Sequence, residues 1–144
     1  MTGEGYGVGD EGWGDDAAWT GGVADGGVRS YEDLRVWQEG IALCESVYAL
    51  TRDFPDDERF GLTSQLRRAA VSVPSNVAEG WGRGSRLDYL RFLRVARGSL
   101  FETRTQVIIS QRIGLTDAAG PLLADLDALR RMLHGLIRSL EDRG

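Results

Sequence analysis

From Tyr31 onward, apolar residues recur every three or four positions, and no stretch alternates as a strand would. The pattern predicts four helices. The first runs from about Tyr31 to Asp53, with Ser30 as N-cap and Asp33 at the capping-box position. Trp37, Ile41, Cys44 and Tyr48 mark one apolar face, and Val36, Leu43, Val47 and Leu50 an adjoining one. Phe54-Pro55 stops this helix. The second runs from about Glu58 to Glu79. Leu66, Ala70, Val73 and Val77 keep the helical period across Pro74, which predicts a kinked helix rather than two. Gly80-Trp81-Gly82-Arg83-Gly84 reads as the turn that follows.

The third helix spans about Arg86 to Ile113, capped by Ser85, with Asp88 at the capping-box position and Gly114 as its C-terminal glycine. Tyr89, Leu93, Ala96, Leu100, Thr103 and Val107 form its core stripe. The fourth spans about Asp117 to Glu141 after Thr116 as N-cap. Its Leu122, Leu126, Leu129, Leu133, Leu136 and Leu140 make the strongest seam in the chain. Short connections favour an all-α, antiparallel up-down four-helix bundle over residues 30–144.

Residues 1–29 differ. Ten of the 20 glycines fall within residues 1–28, with six acids and no base. Such a segment has little to bury against its backbone entropy, so it reads as a flexible acidic tail, with Tyr6, Trp13 and Trp19 as its aromatic exceptions. The overall charge of −5 therefore hides the middle of the chain. Residues 59–112 hold ten arginines against Glu79, Asp88 and Glu102, an excess suited to an anion. The chain has no Lys, so its 17 Lys/Arg positions are all Arg, whose planar fork fits phosphate and carboxylate.

Catalytic chemistry finds little support. His134 is the only histidine and Cys44 the only cysteine, which leaves no disulfide pair and no Cys/His metal set. No Glu-x-x-His pair supports a carboxylate metal site in the bundle. The glycine run at 80–84 follows a helix and lacks the Lys-Ser/Thr of a phosphate loop. The chain is read as non-enzymatic and without a cofactor. No apolar run reaches membrane-spanning length and the N-terminus lacks a signal-peptide pattern, so it is read as cytoplasmic and not membrane-bound.

The third helix carries a second pattern. Arg86, Arg91, Arg94, Arg97, Arg104 and Arg112 fall within an arc of roughly 140°, away from the core stripe. Leu90, Phe101 and Ile108 share that arc, and such a mixture is typical of an interface. Leu90, Phe101, Arg104 and Ile108 are the expected self-contact residues. Arg67, Arg68, Arg83, Arg86, Arg91, Arg94 and Arg97 are the expected nucleic-acid contacts.

Two longer segments carry a family resemblance. Phe60-Gly61-Leu62-Thr63-Ser64-Gln65-Leu66-Arg67-Arg68-Ala69-Ala70 precedes Val73-Pro74-Ser75-Asn76-Val77-Ala78-Glu79-Gly80. Tyr31-Glu32-Asp33-Leu34 with Val36-Trp37-Gln38, then Arg91-Phe92-Leu93 and Gly98-Ser99-Leu100-Phe101-Glu102, complete the pattern. Together they resemble the bacterial four helix bundle proteins. That family includes proteins encoded by intervening sequences in large-subunit ribosomal RNA genes. It also includes the accessory variability protein of diversity-generating retroelements. The resemblance implies a homopentamer and, from the retroelement member, nucleic-acid binding through basic surface and association with a reverse transcriptase. Arg67, Arg68 and Arg83 lie on matched positions, and no catalytic residue carries over. The function expected is a pentameric adaptor for RNA, DNA or a nucleoprotein; the alternative is a purely protein-binding scaffold.

Overall fold

A computed structural model describes residues 28–143, so the expected acidic tail lies outside the described residues apart from its last two positions. Four helices follow in order: α1 (Arg35–Thr51), α2 (Leu62–Gly82), α3 (Arg86–Arg112) and α4 (Gly120–Glu141). No strand occurs among the described residues.

Contacts between sequence neighbours run in opposite directions. Gly40, Cys44 and Thr51 of α1 meet Pro74, Ala70 and Arg67 of α2. Gln65 and Ser72 of α2 meet Gln106 and Ser99 of α3. Arg94 and Arg104 of α3 meet Glu141 and Asp127 of α4. The C-terminal end of α1 lies against the start of α4, around Leu50 and Leu122. The helices enclose one apolar core in which Val47, Leu66, Val77, Tyr89, Leu93, Leu126, Leu133 and Leu140 are inaccessible. Each such aliphatic side chain contributes roughly 1.5–3 kcal/mol on burial. Burial also pushes the Tyr89 phenol far above the usual tyrosine range.

α2 passes through Pro74 as one helix. Proline has no N–H, so the Ala70 carbonyl four residues back loses its usual donor. The Cys44 thiol donates to that carbonyl at 3.4 Å, and Gly40 one turn earlier gives the proline ring room. A methyl group at Gly40 would sit 3.1 Å from Pro74 Cβ. The proline is thus accommodated from α1, and Cys44, its thiol pKa raised first by burial and then by Glu45, serves packing.

Several helix ends differ from the sequence reading. Ser30 and Asp33 form the expected capping box, but around a 3-10 turn at Tyr31–Asp33, and α1 begins only at Arg35. The core side of α1 is the Val36–Leu43–Val47 face; Ile41 and Tyr48 stay exposed. α2 starts at Leu62 because the Glu58 carboxylate accepts the Leu62 N–H at 3.0 Å. It continues through Gly80, which is a packing glycine rather than a turn glycine: a methyl there would sit 2.7 Å from Phe92 Cβ and 3.3 Å from the Tyr89 carbonyl oxygen. The turn is made by Gly84, at φ 77°. Ser85 caps α3 as expected, accepting from the Asp88 N–H at 3.1 Å.

At the other end of α3, Gly114 (φ 86°) closes a Schellman motif, with Leu115 N–H to Ser110 O and Gly114 N–H to Gln111 O. α4 begins at Gly120 rather than Asp117. Pro121 sits in its first turn, where a missing N–H costs nothing, while Thr116 accepts from the Ala118 N–H in the preceding turn. Ile137 takes the inward place that the leucine seam had given to Leu136, which is only half-buried.

Candidate anion-binding site

The arginines expected on one surface separate into two groups. Arg67 and Arg68 lie on the first half of α2, against α1. Together with Arg59 from the preceding turn they line a recess of about 450 Å³, completed by Tyr48, Thr63, Ser64 and Val71. Arg67 is held on two sides. Its Nε donates to Thr51 Oγ1 at 2.8 Å, and its guanidinium carbon lies 4.4 Å from the centre of the Tyr48 ring. Thr51 is itself fixed by donating to the Val47 carbonyl at 2.8 Å. Among the described residues, neither terminal nitrogen of Arg67 has a hydrogen-bond or ion-pair partner. Arg59 lies over its neighbour Phe60, 5.1 Å from the ring centre, and that ring is 85% exposed. Among the described residues, none of these three guanidiniums forms an ion pair.

The second group runs along α3, where most arginines are engaged within the chain. Arg83 at the end of α2 pairs with Glu79 at 3.0 Å, and Arg91 with Asp88 at 3.4 Å. Both also lie over Phe92. Arg94 pairs with Glu141 at 2.7 Å. Arg86 donates to the Leu140 carbonyl at 3.0 Å, satisfying an acceptor in the last turn of α4. Arg97 stands apart, beside Phe101, Arg130 and His134. Exposed pairs of this kind contribute only about 0–1 kcal/mol, but each carboxylate offsets the charge an anion would meet.

The expected self-contact set does not form one open face. Leu90 is in the core, 3% exposed, and Arg104 is paired with Asp127 at 3.0 Å. Ile108 is half-buried and only Phe101 is open, at 47%. The reason is geometric: α3 lies between α2 and α4, so it buries a wider arc than its core stripe alone defines. The open apolar line of α3 lies further round, at Leu87, Val95, Ile109 and Ile113.

Sequence reasoning missed Arg59, Tyr48 and Thr51. The helical spacing puts Tyr48 on an apolar face, but its ring is exposed. The available signal was the crowding of Arg59, Arg67 and Arg68 around hydroxyl residues in a stretch without acids from Arg59 to Ala78. No group of three or more His, Cys, Asp or Glu among the described residues is placed to hold a metal ion. No helix among them is long and apolar enough to cross a membrane.

Fold and recess together define a small all-helical protein with an arginine-lined surface. The family model described as 23S rRNA-intervening sequence protein matches residues 32–135, and the chain belongs to that family. The family consists of small helical proteins not known as enzymes. No curated protein matches the chain.

Proposed function

We propose that this protein is a non-enzymatic, homo-oligomeric adaptor that binds nucleic acid, alone or within a nucleoprotein, through the recess of Arg59, Arg67 and Arg68. The observation that carries this reading is the convergence of three arginines on a concave surface with no ion-paired carboxylate among the described residues. A guanidinium fork already oriented by Thr51 and Tyr48 loses little freedom when it grips a phosphate. Thr63 and Ser64 add hydroxyls at the same recess. In an oligomer, a pentamer by family resemblance, repetition of the recess would multiply a weak contact. The open line of Leu87, Val95, Ile109 and Ile113 supports self-association. A reverse transcriptase is one nucleoprotein partner consistent with this reading.

The test is a titration of labelled structured RNA and duplex DNA against the full chain at several salt concentrations. Affinity should fall log-linearly with salt, as expected when phosphates release counterions. Arg67→Glu with Arg68→Glu should abolish binding while leaving helical content and mass unchanged. Binding that survives this pair of reversals would remove the recess from the proposal. Absence of wild-type binding at low salt would favour the second reading, a purely protein-binding scaffold built on the α3 apolar line.

A further inference from the structure

Between the middle of α3 and the second half of α4 lies a separate cleft of about 410 Å³, lined by Arg97, Phe101, Arg130 and His134. Its make-up follows from helix geometry. Arg97 and Phe101 are four residues apart on α3, and Arg130 and His134 four apart on α4, so each pair occupies one strip of its helix. The helices run antiparallel, and the strips face each other. Ion pairs bracket the cleft: Arg94 with Glu141 on one side, Arg104 with Asp127 on the other.

Among the described residues, the lining contains no carboxylate. Arg97 makes no hydrogen bond or ion pair among the described residues, although it adds to the positive field around Glu141. Arg130 reaches only to 4.0 Å from Asp127, whose same oxygen already accepts from Arg104 Nε at 3.0 Å. Two cationic forks and an imidazole N–H thus border a phenyl ring that is 47% exposed.

We propose that this cleft receives one unpaired nucleotide of a nucleic-acid strand, its base against Phe101 and its phosphate on Arg97 and Arg130, with His134 as a further donor. An acidic peptide would satisfy the arginines but has no use for the ring. A ring and a phosphate on one ligand satisfy both. Base-on-aromatic stacking tolerates any sequence and requires that the base be out of a duplex. The cleft therefore confers a preference for single-stranded or bulged segments, which a phosphate-gripping recess alone does not supply. This inference rests on the nucleic-acid reading above.

The experiment compares a short oligouridylate with an RNA duplex of the same length. Both are bound to the wild-type chain, to Phe101→Ala, to Arg97→Glu with Arg130→Glu, and to Arg67→Glu with Arg68→Glu. Phe101 is half-exposed, so Phe101→Ala should keep its fold, which a melting curve checks; Phe101→Trp should restore stacking. The wild type should prefer the single strand. Phe101→Ala should weaken single-strand binding about tenfold, the scale of one lost stack, and leave duplex binding unchanged. The Arg97/Arg130 reversal should weaken the single strand more than the duplex. Equal loss on both ligands, or no loss on either, in Phe101→Ala overturns the cleft proposal. If the Arg67/Arg68 reversal still abolishes binding in that case, the recess reading stands alone. Displacement of the oligouridylate by polyglutamate from the wild type and Phe101→Ala alike would make this a carboxylate site and overturn the proposal. Absence of wild-type binding to either RNA overturns the cleft proposal and the recess reading together.

Discussion

Arg67 on α2 and Arg94 on α3 bear the same charge, but the helices facing them treat them differently. Opposite Arg67, α1 supplies a ring and a hydroxyl, Tyr48 and Thr51, which orient the guanidinium without neutralising it. Opposite Arg94, α4 supplies Glu141, which orients and neutralises together. Arg104 repeats the second pattern with Asp127. Availability of an arginine to an outside anion is therefore decided by the neighbouring helix. Counting arginines along one helix misses it.

The largest expected effect tests that contrast directly. Reversing Arg67 and Arg68 to Glu should lower nucleic-acid affinity by about a hundredfold or more, with a shallower salt dependence. Reversing Arg91 and Arg94 changes charge by the same amount, but these side chains already share their charge with Asp88 and Glu141. Affinity should then fall severalfold less than for the α2 pair. Equal losses in parallel titrations would mean that overall charge, rather than local availability, governs binding.

The contrast also assumes that both faces ride on one body, and the seam between α2 and α3 is where that can be broken. Gly80→Ala forces a methyl against Phe92 and the Tyr89 carbonyl. Overpacking costs about 1–3 kcal/mol, offset in part by roughly 1 kcal/mol of helix propensity. Denaturant unfolding should show net destabilisation, while recess binding at low temperature persists. Loss of binding in a variant that remains folded would show that the two ends of α2 are coupled.

Much of this arrangement was legible beforehand because it is periodic. The core stripes of α2 and α3, the Ser85 cap and the Gly114 C-cap each depend on spacing within one helix, and local spacing is what a sequence displays. What escaped was set by pairs of helices. Leu90 shares the arginine arc by spacing yet lies in the core, and Tyr48 shares an apolar face by spacing yet stays exposed because α1 turns its Val36–Leu43–Val47 side to the core. Gly80 looked like a turn residue because its reason for being glycine, the closeness of Tyr89 and Phe92, lies on another helix. The same limit applied to the site. Arg59, Arg67 and Arg68 are near in sequence, but Thr51 and Tyr48, which hold Arg67, come from α1.

A smaller change separates orientation from charge. Thr51 is 2% exposed, and Thr51→Val keeps its shape while removing the oxygen that accepts from Arg67 Nε. Loss of such a hydrogen bond costs roughly 0.5–1.5 kcal/mol. Stability should fall by about that much, and recess affinity by about three- to tenfold at an unchanged salt slope, because no charge is lost. A changed slope would mean that Thr51 governs how many phosphates are met rather than how well one is held.

The smallest effect belongs to the neutralised face and depends on pH. The Arg94 hydrogen bond, more than the charges of Arg94, Arg97 and Arg138, holds the Glu141 carboxyl below the ordinary glutamate range. A carboxyl whose folded pKa is depressed stabilises the fold at pH values above its unfolded pKa, and that contribution disappears as pH falls through the folded one. Glu141 is exposed, so solvent screens the pair and the change in melting temperature should be slight. The carboxyl shift of Glu141, followed by NMR, should move back toward the ordinary range in Arg94→Gln and less so in Arg97→Gln. As Glu141 protonates in the wild type, Arg94 loses its counter-charge, and the α3–α4 face should begin to bind anions as the recess does at neutral pH. If Arg97→Gln moves Glu141 as far as Arg94→Gln does, Arg97 is engaged by that carboxylate, and the cleft loses one of its two phosphate-gripping forks.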